Sequence, residues 1–219
     1  MTYITKNLKK NKLIEFIETH KTGETKETHC ETSYTLDLVT VPIDYLYYNL
    51  ENARTREACR QKTLDEGWDL SMFKIGNVES KSAQSEYHKI IYKHAANGKK
   101  AKEYQEIFQA GADQRFEIYI SHDGIILNGN TRMSWWRENA TFSEIECKVF
   151  GESVPWRTLL KIVNEDDSGA DIRQQYLWYQ RALQAKELLE LDREEKGAEL
   201  DAQEYKKLAL DCQFMGKAD

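Results

Sequence analysis

The chain has 219 residues, of which 40% are hydrophobic and 31% charged, and its formal net charge is -6. This length suits one ordinary domain with an appendage or two small domains, and the apolar content excludes a globally disordered chain. No apolar run approaches the roughly 20 residues that a bilayer requires, and the N-terminus lacks the apolar stretch of a secretory signal. We therefore expect a cytoplasmic protein with no membrane partner.

The cysteines, histidines and basic residues limit the metal and DNA partners that we expect. The four cysteines form no CxxC pair and no ligand-spaced cluster with the five histidines, so we expect reduced thiols and no structural zinc. The acidic balance does not favour duplex DNA, so DNA contact would need a local basic patch. Residues 6–12 and 97–102 are two such patches, although each is more typical of a solvated helix end.

Residues 1–33 are interpreted as a polar N-terminal lead-in. A short amphipathic piece spans residues 8–17, whereas residues 19–33 have no regular hydrophobic period. We expect this region to be mobile or to lie along an edge of the fold.

A strand is predicted from residue 34, where β-branched and aromatic residues become frequent. The alternating positions are Leu36, Leu38 and Thr40 on one side and Asp37 and Val39 on the other. Pro42 ends this strand or places it at a sheet edge. A turn then leads into a helix predicted over residues 52–64 and stopped by Gly67, and residues 68–84 are predicted as a loop or one short strand.

The middle of the chain predicts two helices and then a hairpin. The helices cover residues 85–96 and 99–110, and each is followed by a glycine that favours a left-handed cap. Residues 115–121 alternate cleanly, and the turn at residues 122–124 joins them to a second strand, which predicts a β-hairpin. A helix over residues 133–138 and a strand over residues 143–151 follow.

From residue 154 onward every pattern is helical. A short helix with Pro155 in its first turn precedes a long amphipathic helix over residues 171–196 and a last helix over residues 201–219. The predicted fold class is therefore α+β, with a small mixed sheet and interleaved helices over residues 34–151, followed by a helical C-terminal region over residues 152–219.

Three segments, in this order, resemble the ParB/sulfiredoxin-like superfamily. The first is "VPIDYLYYNLENARTR", in which a strand ends at a proline and a turn carries asparagine and arginine; its matching residues are Val41, Pro42, Ile43, Asn49, Asn52 and Arg54. The second is "DGIILNGNTRMSWWREN", in which an Asp-Gly turn precedes a strand and a Gly-x-x-Arg helix start. The third is "KIVNEDDSGADIRQQYLWYQRAL", where ParB-type proteins enter their helical part.

The resemblance implies a nucleotide triphosphate, of the CTP or ATP class, bound with Mg²⁺. The residues that it assigns to the nucleotide and its phosphates are Asn52, Arg54, Asn128, Gly129, Asn130, Thr131 and Arg132. The third segment implies a metal or phosphate role for Asn164 and Glu165. No cysteine lies beside Gly129, which excludes the sulfinic-acid reduction of sulfiredoxins.

Elementary chemistry supports an anion at this helix start independently of the resemblance. Gly129 lets the backbone come close to a ligand, and the first N–H groups of a helix favour negative charge. The guanidinium of Arg132 is a forked cation suited to phosphate oxygens, and Arg54 could add a second charge. Asp123 is a candidate general base or metal ligand, although an aspartate before glycine is more often a turn residue.

The predicted function is therefore that of a ParB-like nucleotide-binding protein in DNA-related work, such as partition, DNA modification or phage–host conflict. It is a candidate NTPase or nuclease, with the nucleotide and DNA as partners. The alternative is a non-catalytic DNA-binding or protein-interaction module that forms a homodimer through its C-terminal helices.

Overall fold

The structure of the protein, a computed structural model, describes residues 6–52, 55–96, 102, 106, 117–139 and 143–166. The chain divides into two compact units: the first comprises Met1–Thr28 and Thr32–Val154, and the second comprises His29–Glu31 and Pro155–Asp219. None of the described helices combines the length and the apolar character that crossing a bilayer requires.

The described chain contains six strands and five α-helices. The strands are β1 (Lys21–His29), β2 (Thr32–Pro42), β3 (Tyr47–Tyr48), β4 (Ile118–Ile120), β5 (Ile125–Asn128) and β6 (Glu144–Val149). The helices are α1 (Lys6–His20), α2 (Arg56–Glu66), α3 (Lys81–Ala96), α4 (Asn130–Asn139) and α5 (Trp156–Asp166). Short 3-10 helices occur at Ile43–Tyr45, Leu70–Phe73 and Ile75–Asn77.

The first unit is built on one six-stranded sheet with the order β1-β2-β6-β4-β5-β3. β2 runs antiparallel to β6, with Val39 opposite Cys147, and β6 runs parallel to β4. β4 and β5 form the antiparallel hairpin, and β5 runs parallel to the short edge strand β3. A mixed sheet with interleaved helices is the predicted class, and the structure confirms it. The predicted boundaries at residues 33 and 151 stay predictions.

Most of the local sequence signals correspond to real elements. Pro42 is the last residue of β2, and Gly67 ends α2 with a φ of +65°, in the left-handed region that favours glycine. The hairpin at residues 118–128 and the alternation of β6 are confirmed. The helix predicted over residues 99–110 falls on residues that the structure does not describe, apart from Lys102 and Glu106.

Three regions differ from their sequence-based expectation. Residues 19–33, expected to be a mobile or edge-lying lead-in without a hydrophobic period, complete α1, form the edge strand β1 and begin β2. Residues 68–84 contain two 3-10 helices and the first turn of α3, which begins at Lys81. The two-residue strand β3 was not predicted, because so short a segment has no measurable period.

Burial along β2 changes from one side of the strand to the other. Leu36 is buried, Val39 and Val41 are buried in the core, and Leu38 and Thr40 are only partly buried. The sequence has apolar residues on both sides of this strand, so alternation alone does not select a face. The choice comes from packing against Ile145 and the helices of the first unit.

The main core of the first unit combines one face of the sheet with the helices beside it. Three helices contribute pairs at helical spacing, and α2 contributes Cys59. The pairs are Leu13 and Ile17 from α1, Tyr87 and Ile91 from α3, and Met133 and Trp136 from α4. In the second unit, the helix predicted at Pro155 is α5, whose buried residues Leu159, Ile162 and Val163 lie on one face.

Candidate functional site

The junction between β5 and α4 is a single glycine, and no other residue fits there. Gly129 has a φ of +111°, which L side chains rarely adopt. A Cβ atom at this position would lie 2.5 Å from Ile118 Cγ2 and 3.3 Å from Arg132 Nη2. The chain therefore turns from strand to helix with its backbone in close contact with β4.

Arg132 turns its guanidinium back over this junction. The 3.3 Å separation between Arg132 Nη2 and the position of a Gly129 Cβ places the cation beside the glycine backbone. The first α-helical hydrogen bond of α4 runs from Met133 N–H to Gly129 O, at 2.8 Å. The N–H groups of residues 130–132 precede that bond, at the end of the helix that carries partial positive charge.

Asn130 joins the helix start to the segment after β3. Its side chain is buried, and its Oδ1 accepts a hydrogen bond from the Asn49 N–H at 3.0 Å. Its Nδ2 donates to the Ile126 carbonyl oxygen, also at 3.0 Å. Both ends of the amide are therefore used within the protein. The Asn130 side chain therefore acts as a structural bridge between the start of α4 and the segment after β3.

The Asn130 side chain connects the second segment of the resemblance to the first, which contains Asn49. Asn49 Oδ1 accepts from the Glu51 N–H at 3.1 Å, and the Asn52 N–H donates to the Asn49 carbonyl at 3.2 Å. Asn52 in turn accepts hydrogen bonds from Thr55 N–H and Thr55 Oγ1, each at 3.2 Å. This compact turn holds Asn52 close to the bridge. Arg54 lies outside the described residues.

Asn128 and Thr131 flank the junction on its two sides. Asn128 is the last residue of β5 and lies opposite Tyr119 of β4. Thr131 is partly buried in the first turn of α4, where its carbonyl accepts the Ser134 hydroxyl at 2.7 Å. The structure thus brings five predicted residues, Asn128, Gly129, Asn130, Thr131 and Arg132, together with Asn52 on the bridged turn.

The edge strand β3 lies beside this site, and we call its side of the sheet the closed edge. Its backbone groups are bound by side chains that were not predicted from the sequence. Gln84 of α3 accepts from the Tyr48 N–H at 2.8 Å and donates to the Tyr48 carbonyl at 3.1 Å, as a neighbouring strand would. Arg137 of α4 donates to the Leu46 carbonyl at 2.8 Å, and its guanidinium lies 4.4 Å from the Tyr48 ring centroid. Gln84 therefore binds the outer backbone groups of β3, and Arg137 binds the residue before β3 and lies over its Tyr48 ring.

A chain of hydrogen bonds extends from Tyr48 to the surface. The buried Tyr48 hydroxyl lies 2.7 Å from His88 Nδ1, and His88 Nε2 lies 2.6 Å from Glu138 Oε1. Burial raises the pKa of Tyr48 to about 12, against the opposing effect of the Arg137 charge. These partners are 40 and 50 residues apart in sequence, so no spacing in the chain could have revealed them.

Asp123 lies at the other end of β5 from Gly129. Its Oδ1 accepts the Ser121 hydroxyl at 2.7 Å, and the same hydroxyl oxygen accepts the Ile125 N–H at 3.0 Å. The four-residue strand between them spans about 13 Å. Asp123 therefore has the role of a hairpin-turn residue, and the structure does not bring it to the helix start.

The remaining predicted residues are only partly described. Asn164 and Glu165 belong to the last turn of α5, in the second unit, and their side chains lie outside the description. Across residues 6–52, 55–96, 117–139 and 143–166, no three His, Cys, Asp or Glu residues form a group that could hold a metal ion.

In the two predicted basic patches, residues 6–12 and 97–102, Lys12 and Lys102 are exposed. The long helix predicted over residues 171–196 is not described.

Comparisons with protein-family models, with curated proteins and with solved structures find no match for this chain. The resemblance to ParB/sulfiredoxin-like domains therefore stays a prediction from the motif residues.

Proposed function

We propose that the start of α4 binds the phosphate groups of a nucleotide of the CTP or ATP class, as in ParB/sulfiredoxin-like domains, and that the protein uses this site in DNA-related work. One observation carries the proposal. The buried hydrogen bond between Asn49 and Asn130 joins the first and second of the three segments in which the resemblance is found. Two residues that are 81 positions apart in the sequence thus meet at one corner of the first unit.

The chemistry of this corner suits an anion. Gly129 leaves room beside the helix start for the Arg132 guanidinium, and the N–H groups of residues 130–132 lie at the positive end of a helix dipole. Arg132 supplies a planar guanidinium beside the same backbone, a group that matches phosphate oxygens in pairs. A phosphate is the ligand that combines these three preferences.

The donor set fits a nucleotide that carries its own cation. Mg²⁺ commonly stays hydrated and bound to substrate phosphates, with only one or two protein carboxylates. The described residues offer backbone N–H groups, the Thr131 hydroxyl and the Arg132 guanidinium, which are phosphate donors rather than metal ligands. The nucleotide would therefore enter as its magnesium complex. Because Asp123 lies beyond the opposite end of β5, the proposal is one of binding and contains no hydrolytic step.

Isothermal titration with CTP, ATP and GTP, each with Mg²⁺, tests the proposal on the wild-type chain, Arg132→Ala and a matched control. The control is Arg60→Ala, because Arg60 is a 66% exposed arginine on α2. Loss of a charge-assisted hydrogen bond costs about 1.5–3 kcal/mol, so Arg132→Ala should weaken binding by roughly 10- to 150-fold. Arg60→Ala should bind as the wild type does.

Two results would contradict the proposal. One is the absence of heat for all three nucleotides with the wild-type chain. The other is equal affinity of Arg132→Ala and Arg60→Ala, which would move the site away from α4. Thermal unfolding of both variants shows whether either substitution acts through loss of the fold instead.

A further inference from the structure

β1 is the long edge strand of the sheet, and its outer side is unpaired by any described strand. It contains nine residues, Lys21–His29, and ends the strand order next to β2. Four alternate positions, Thr22, Glu24, Lys26 and Thr28, are exposed. An edge of this length offers a row of backbone N–H and C=O groups to another strand.

The turn after β1 determines which of its groups face outward. Cys30 and Glu31 have φ values of +49° and +62°, the pattern of a two-residue type I′ hairpin turn. The residues that flank such a turn form a hydrogen-bonded pair, and the pairs then alternate along the strands. Odd-numbered residues of β1 therefore bond to β2. The even-numbered residues direct their N–H and C=O groups to the free side.

The outward-facing sequence is complementary to itself in the antiparallel direction. If two copies of β1 pair about Thr25, Glu24 of each copy lies opposite Lys26 of the other. In the same register Thr22 lies opposite Thr28, and Thr25 lies opposite Thr25. Opposite charges and threonine pairs both stabilise facing positions of antiparallel strands. All the hydrogen-bonded pairs of this register are between even-numbered residues, as the hairpin requires.

The neighbouring registers are unfavourable. A shift that keeps the even-numbered residues paired would centre the two strands on Glu24 or on Lys26. Either shift places two like charges directly opposite one another, which destabilises a strand pair. Charged edge residues normally prevent indiscriminate pairing. Here their order also selects one register of self-pairing over its neighbours.

We propose that β1 is a dimerisation surface, on which a second copy of this chain adds its own β1 antiparallel, with Thr25 at the two-fold axis. A two-fold axis makes each contact occur twice, as the Glu24–Lys26 pairs require. The pairing adds roughly eight backbone hydrogen bonds and joins two six-stranded sheets into one continuous sheet.

Sedimentation velocity on the full chain, over roughly a hundred-fold range of concentration, measures this equilibrium. The wild-type chain should reach a dimer. Glu24→Lys and Lys26→Glu should each weaken the dimer at least tenfold, because each creates two like-charged pairs. The double variant Glu24→Lys, Lys26→Glu exchanges the charges and should restore the affinity. Glu57→Lys is the matched control, since the Glu57 and Glu24 side chains are both 55% exposed.

A cysteine at the two-fold axis tests the register directly. Facing residues of a non-hydrogen-bonded pair have Cα atoms about 4.5 Å apart, within the range of a disulfide. In a Cys30→Asn, Cys212→Ser background, Thr25→Cys should form a disulfide-linked dimer on mild oxidation. Thr28→Cys should not, because the two copies of residue 28 lie about 20 Å apart in this register.

A wild-type chain that stays monomeric at all concentrations would overturn the proposal. A dimer that persists unchanged in Glu24→Lys would do so as well, since it would assign the contact to another surface. Failure of the double variant to restore pairing, or equal cross-linking at positions 25 and 28, would rule out the Thr25-centred register. Circular dichroism establishes that each variant is folded.

Discussion

The two edges of the sheet differ in how they satisfy the backbone. β3 has only two residues, and Gln84 occupies both hydrogen-bonding groups of Tyr48 on its outer side. β1 has nine residues, and its exposed positions carry threonine, glutamate and lysine. At β3 the chain completes the edge with its own side chains, whereas no strand of the described residues pairs with the outer side of β1.

This difference indicates where the molecule can tolerate change. Beside β3, the turn at Asn49, the start of α4 and the hydrogen bonds of Tyr48 depend on one another. A substitution there leaves buried polar groups without partners, which is costly. Along β1, the partners of the exposed side chains are also at the surface: Glu24 pairs with Lys21, and the Thr22 hydroxyl donates to the Leu38 carbonyl. Substitutions there should therefore cost less than at β3.

Gly129→Ala should have the largest effect. The added Cβ would lie 2.5 Å from Ile118 Cγ2, and alanine would have to adopt a φ of +111°. Overpacking and backbone strain together should lower the free energy of unfolding by about 2–4 kcal/mol. Urea denaturation measures this change.

Gly76→Ala is the matched control, because a Cβ at Gly76 meets no atom within 4 Å. Its free energy of unfolding should stay within about 0.5 kcal/mol of the wild type. If Gly129→Ala were as stable as Gly76→Ala, that result would contradict the close packing of Gly129 against Ile118.

Tyr48 should make the stability of the protein depend on pH in the alkaline range. Its pKa is raised from 10.0 to about 12 by burial, so the folded state keeps the phenolic proton that the unfolded state releases. The stability from this residue is complete below pH 10 and is lost as the pH rises toward 12. Two pKa units correspond to about 2–3 kcal/mol.

Tyr48→Phe removes this titration, so its free energy of unfolding should fall less steeply between pH 10 and 12 than that of the wild type. Cys59 also loses a proton in this range, since burial raises its pKa to about 12, and its contribution remains in both proteins. Denaturation at several pH values gives the two slopes. Parallel slopes would show that Tyr48 ionises as easily in the folded state as in the unfolded state.

Substitutions in the turn after β1 should change the free energy of unfolding least, and they should raise it. Cys30 and Glu31 occupy left-handed positions that asparagine and glycine adopt at lower cost. Cys30→Asn with Glu31→Gly should therefore raise the free energy of unfolding by about 1 kcal/mol, which corresponds to roughly 2–4 °C in melting temperature. Cys30→Ser, which removes the thiol without favouring this conformation, should give no gain. A lower melting temperature for the double variant would contradict the assigned turn.

Local signals in the sequence were sufficient for the elements whose cause is local. The Asp-Gly turn predicted the hairpin, Gly67 predicted the end of α2, and Pro42 predicted the end of β2. Glycine and proline act through their own backbone torsions, so their effect is the same wherever the segment packs. The Gly-x-x-Arg helix start was found for the same reason.

The arrangement of the candidate site depended on contacts between distant parts of the chain. Asn130 appeared in the sequence as a residue of the phosphate site, but its side chain instead binds Asn49 and Ile126. Gln84 and Arg137 were not singled out, because their partners are backbone groups of a two-residue strand with no period of its own. A hydrogen bond across 81 residues exists only once strand pairing has brought its two groups together. The sequence by itself therefore determined where the chain turns, stops and begins a helix, and the tertiary structure decided which of those points meet.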